Sequence, residues 1–144
     1  MGNRVYNEKV LVDTDKIKKF YNDRASKAES FDNEYTLVLL KDSKPELAQK
    51  SDEFEKKVIL PQLNMNSDSN VIDIGCGIGR WADALANKVH SYVGIDFSES
   101  MIHLASRRFE SYDNVQFYVS SFQNFETVIK KRFDRLIIGG CVCI

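Results

Sequence analysis

The chain has 144 residues, 43% of them hydrophobic and 28% charged, enough apolar content for one folded core and too much for wholesale disorder. Its formal net charge of −1 removes the overall electrostatic footprint of a nucleic-acid binder. No apolar run is long enough to span a bilayer, the polar start at Met1–Lys9 lacks a signal-peptide core, and three cysteines make an odd set unlike a disulfide framework. The expectation is therefore a cytoplasmic, single-domain protein with no membrane and no nucleic-acid partner.

The first half reads as helices. Thr14 as N-cap, with Ile17, Phe20 and Tyr21 at helical spacing, predicts a helix to about Glu29. Leu37–Leu40 is a short apolar stretch of either type. Ser43 and Glu46 at capping-box spacing, with Pro45 early, predict a second helix on which Leu47, Phe54 and Val58 share a face. Pro61 ends or kinks it near Leu60, and Asn64–Asn70 reads as a loop. Residues 1–66 thus form a helical cap segment, and residues 67–144 a core of different rhythm.

In that core, Val71–Ile74 and Tyr92–Ile95 are short apolar strands. Val115, Phe117 and Val119 alternate with Gln116 and Tyr118 as a third. Between them, Trp81, Ala82, Leu85, Ala86 and Val89 give one helical face. Met101, Ile102, Ala105 and Phe109 give another, behind Ser98 as N-cap. Phe125, Val128 and Ile129 suggest a short helix, and Lys130–Arg132 read as its solvated end. A last apolar run from Phe133 to Ile144 closes the chain, with Cys141 and Cys143 read as core. Strands alternating with helices argue for an α/β fold with a parallel sheet and right-handed crossovers.

The informative segment is Asp73-Ile74-Gly75-Cys76-Gly77-Ile78-Gly79-Arg80-Trp81, which follows a predicted strand and opens a predicted helix. Glycines allow the tight turn and let backbone N–H groups approach a ligand. Asp96, twenty-one residues after Gly75, falls at the end of the second strand, where an acid can accept from both hydroxyls of a ribose. The dinucleotide fingerprint needs its third glycine where Arg80 stands, and no Gly-Lys-Ser/Thr follows for a phosphate loop. Asp73 adds negative charge beside the turn. That suits a cationic ligand better than a pyrophosphate, and S-adenosylmethionine carries a sulfonium and an ammonium.

These residues resemble the motifs of the class I S-adenosylmethionine-dependent methyltransferases. Residues 71–81 look like the first motif and Val93-Gly94-Ile95-Asp96-Phe97-Ser98-Glu99-Ser100-Met101 like the second. Residues 115–122 are similar to the third, and Phe133-Asp134-Arg135-Leu136-Ile137-Ile138 to the fourth. The resemblance implies a Rossmann-like, doubly wound, mostly parallel sheet. The chain would supply the first four strands of the family's seven, in the order 3-2-1-4-5-7-6, beneath an N-terminal helical cap.

It also implies site roles. Gly75, Cys76 and Gly77 would approach the methionine part of the cofactor, and Asp73 would help hold its amino group. Asp96 would take the ribose hydroxyls and Phe97 would pack on the adenine. Ser121 and Phe122 stand where the family often has an acid for the adenine amino group, so Ser121 is a departure. Backbone around Gly139 would line the methionine end. A helix before the core closes over the cofactor in similar enzymes, so Tyr21 or Arg24 would reach the cofactor carboxylate, with Arg80 a second candidate.

Methyl transfer to a small-molecule or saccharide-linked acceptor, giving S-adenosylhomocysteine, is the implied activity. It needs alignment more than side-chain chemistry, so no catalytic residue is assigned. His90 and His103 read as structural or surface residues, and no zinc site is expected. The rival readings are an inactive S-adenosylmethionine-binding fragment or degenerate homologue, and a NAD-dependent oxidoreductase module. The end at Ile144 inside an apolar run suggests truncation. The fourth strand is then expected to be an exposed edge, leaving the chain inactive or self-associating.

Overall fold

The computed structural model describes residues 13–31 and 33–139. Helix α1 spans Thr14–Ala25, capped one residue earlier than expected, by Asp13, whose Oδ1 accepts from the Lys16 N–H at 3.0 Å. It stops at Ala25 and is followed by a separate 3-10 turn, Ala28–Ser30. The Ser26 and Ser30 hydroxyls donate to the carbonyls of Asp23 and Lys27, local bonds that compete with a continuous helix. The ambiguous stretch is a one-turn helix, α2 (Thr36–Leu39), ended by Leu40 in the left-handed region at φ 53°.

Helix α3 spans Pro45–Ile59. Pro45 starts it, and no side chain caps it, so Ser43 and Glu46 do not form a capping box. The apolar stripe of Leu47, Phe54 and Val58 faces outward, while Ala48 and Asp52 are buried. The inward face carries an acid because it meets a buried arginine of the core.

Four parallel strands make one sheet in the order β3-β2-β1-β4: β1 Asn70–Ile74, β2 Ser91–Asp96, β3 Val115–Val119 and β4 Arg135–Ile138. On one face Val71, Tyr92, Val115 and Ile137 pack against Trp81, Leu85 and Phe109. On the other, Ile72, Ile74, Val93 and Ile95 pack with Ile129. Helix α4 (Ala82–Leu85) is shorter than expected. Asn114 Nδ2 takes the carbonyls of Ala86 and Val89, at 2.8 and 3.0 Å, which would otherwise continue or close it. Helices α5 (Glu99–Arg108) and α6 (Phe125–Val128) complete the crossovers.

The cap is not a detached layer. Its buried Ala25 and Leu37 share a cluster with Ile78 of the glycine turn and Met101 of α5. Among the described strands β4 is an edge, and its Leu136 and Ile138 are exposed. Cys141 and Cys143 lie outside the described residues.

Candidate functional site

The turn after β1 is built by three glycines at positive φ: Gly75 at 73°, Gly77 at 53° and Gly79 at 80°. At Gly77 a side chain is excluded twice over. The backbone is left-handed, and a Cβ would lie 2.7 Å from Val38 Cγ1 of the cap. The N–H groups of Gly75 and Cys76 both donate to Ile95 O, at 2.8 and 3.0 Å, which ties the turn to the end of β2.

Asp96 sits at that end. Its Oδ2 accepts from the Gly77 N–H at 3.0 Å and its Oδ1 from the Ser98 N–H at 2.9 Å. Burial raises its carboxyl above the usual range, opposed by those two N–H groups. Ser98 caps α5 as expected, its Oγ accepting from the Met101 N–H at 3.2 Å.

A cleft of about 820 Å³ runs across the carboxyl ends of the four strands. Ser121 and Phe122 line it beyond β3, Asp96 and Phe97 at β2, and Gly75, Cys76 and Gly77 at β1. Gly139 lines it beyond β4, and Tyr21 of α1 covers it, its ring edge-on to Phe97 at 6.4 Å. Cys76 is buried, with Sγ 3.7 Å from Gly77 O. Phe122 is exposed and stacks on Phe125 at 6.2 Å. His90 and His103 are exposed and do not line the cleft.

Asp73 does not line the cleft either. It is fully buried beneath the turn, its Oδ2 accepting from the Tyr92 hydroxyl while Oδ1 has no partner among the described residues. Burial pushes its carboxyl from the ordinary 3.8 up to about 7. The folded state therefore holds a proton that the unfolded chain gives up near pH 3.8. The associated stability is complete below that value and is lost as pH rises through about 7. Urea unfolding should show the wild type losing stability relative to Asp73→Asn between about pH 4 and 7, the interval between the unfolded and folded values. A difference that does not change with pH would contradict the assignment.

Two arginines expected at the ligand are committed elsewhere. Arg24 is not a cleft residue. It donates to Leu37 O and Thr36 O at 3.0 and 2.7 Å and forms a two-pronged pair with Asp42 at 2.6 and 2.7 Å. Those contacts hold α1 to the end of α2. Arg80 does line the cleft, yet its guanidinium pairs with Asp52 at 2.9 Å and Glu55 at 2.8 Å and lies over the Trp81 ring at 4.9 Å. Asp52 and Glu55, three apart on α3, share one helix face, a spacing visible in the sequence.

Two more features escaped the sequence reading. Lys18 and Asn22 of α1 grip the start of α5: Lys18 Nζ meets Glu99 at 2.6 Å, and Asn22 Oδ1 accepts from Ser98 Oγ at 2.6 Å. Trp81, read as helix core, borders the cleft, and its indole N–H has no partner among the described residues. Among the described residues, no cluster of His, Cys, Asp and Glu could hold a metal ion, and no helix is long and apolar enough to cross a membrane.

A family model described as a methyltransferase domain matches residues 71–144, from β1 onward. The chain belongs to the methyltransferase domain family. A viral relative described only as a methyltransferase, 235L of Invertebrate iridescent virus 6, is 39% identical over 88 residues, covering 60% of this chain and 31% of that protein. The demethylmenaquinone methyltransferase of Staphylococcus saprophyticus is 30% identical over 89 residues, covering 58% and 37%. This methyltransferase-domain chain thus spans about a third of the length of the curated relatives it matches. Among solved structures, the magnesium protoporphyrin IX methyltransferase of Synechocystis PCC 6803 shares the fold at TM-score 0.62 and 18% identity, covering 92% of this chain and 64% of that one.

Proposed function

We propose that the cleft binds S-adenosylmethionine and that the chain is the cofactor-binding part of a methyltransferase acting on a small-molecule or saccharide-linked acceptor. The observation that carries this is Asp96, which presents a fixed carboxylate to the same cleft as the glycine turn. Each carboxylate oxygen accepts one backbone N–H, and each has a further lone pair for a ribose hydroxyl. The Trp81 Nε1–H borders the same cleft as a donor with no partner among the described residues, consistent with a ligand that carries an acceptor.

The bound cofactor would supply a methyl group already activated by its sulfonium. The chain's own task is then to orient and enclose. Asp96 fixes the ribose, Phe97 and Tyr21 wall the base side, and the turn's backbone lies along the rest. Alignment of this kind accounts for most of the acceleration of an in-line displacement. Among the relatives matched, one is named for rRNA and another for demethylmenaquinone. The near-neutral charge favours a small acceptor. The exposed β4 edge supports self-association, which sedimentation velocity would register as mass rising with concentration; a constant monomer would overturn it.

Calorimetry decides the cofactor. Heat is expected with S-adenosylhomocysteine and none with NAD. Silence with the first, or binding of the second, would sink the reading.

A further inference from the structure

Arg24 and Arg80 are spent on Asp42, Asp52 and Glu55, so the amino-acid end of the proposed cofactor still needs a donor for its carboxylate. The resemblance to the methyltransferases implies that this end lies along the backbone around Gly139. With the ribose at β2 and the base toward β3, the remainder of the molecule extends over β1 toward β4. Trp81 and Gly139 border the cleft there. Trp81 is 4% exposed, and its Nε1–H is a buried donor with no acceptor among the described residues. A buried N–H left unpaired costs about 1–3 kcal/mol, so an acceptor arriving with a ligand recovers that cost.

Gly139 adjoins that N–H. A Cβ on it would lie 2.7 Å from Trp81 Nε1, so any larger residue would fill the notch beside the N–H. The Arg80 guanidinium, held in place by Asp52 and Glu55, stacks on the ring and fixes it.

We propose that Trp81 Nε1–H donates to the carboxylate of the cofactor's amino-acid end, and that Gly139 is glycine to leave room for it. The inference rests on the cofactor reading above, and the test separates the two. Affinities for S-adenosylhomocysteine, which carries that carboxylate, and for methylthioadenosine, which keeps the nucleoside and lacks the amino-acid end, are measured by calorimetry. Trp81→Phe should weaken S-adenosylhomocysteine at least about tenfold, as expected for one hydrogen bond to a charged group. Methylthioadenosine should bind unchanged. Gly139→Ala, which retains the indole and fills the notch, should discriminate the same way.

Equal losses for both ligands, or none for either, would overturn the role of Trp81 while leaving the cofactor reading intact. A wild type that binds neither ligand would overturn both. The wild type also carries its own probe, because Trp81 is the chain's single tryptophan. Its emission should shift with S-adenosylhomocysteine and not with methylthioadenosine, and an identical response to both would equally overturn the proposal.

Discussion

Asp96→Ala is expected to weaken S-adenosylhomocysteine binding a hundredfold or more, to the edge of calorimetric detection. Two hydroxyl bonds to one carboxylate are charge-assisted, each contributing about 1.5–3 kcal/mol, and every 1.4 kcal/mol is tenfold in affinity. The alanine also releases the N–H groups of Gly77 and Ser98, loosening the turn that the ligand would lie along. Asp96→Asn separates the two effects, since its amide oxygen can still accept from one backbone N–H. A stable Asp96→Ala chain that binds within a few-fold of wild type would remove the main support for the nucleoside site.

Arg80→Ala should lower the free energy of unfolding by about 3 kcal/mol, the lower end of what breaking a buried ion pair costs. Both partners are deeply buried: the side chains of Arg80 and Asp52 are 7% and 4% exposed. Without Arg80, Asp52 retains Lys56 at 2.7 Å, which is why the upper end of the range is not expected. The Trp81 ring also loses the cation stacked on it. Urea denaturation measures the change, and a midpoint equal to wild type would show that the cap does not depend on this pair.

Much of the fold was legible because its signals are local. The four strands announce themselves as short apolar runs, and a glycine-rich stretch between strand and helix has few meanings other than a ligand-facing turn. Asp96 was legible for the same reason, as its place at the end of β2 follows from the chain itself. The arginines were not. Arg24 finds Asp42 eighteen residues away and Arg80 finds Asp52 twenty-eight away, so a long cationic side chain pairs with whichever carboxylate the fold delivers. Asp73 shows a subtler limit. Its position was read correctly, but only the structure puts Tyr92, the second residue of β2, against it and buries both beneath the turn. Trp81 satisfies the helical pattern and the cleft at once, and periodicity reports only the first. The exposed stripe on α3 fails the opposite way: apolar spacing specifies a face without saying that the protein turns it inward.

The grip of α1 on α5 has a consequence for the cap's response to salt. The cap is held over the cleft in two ways: by the water-exposed Lys18–Glu99 pair, and by the buried cluster of Ala25, Leu37, Ile78 and Met101. Water and salt compete with the first set and hardly with the second. Ionic strength therefore acts on one of the cap's two fastenings and spares the other, so salt should loosen the cap's outer edge without releasing its root.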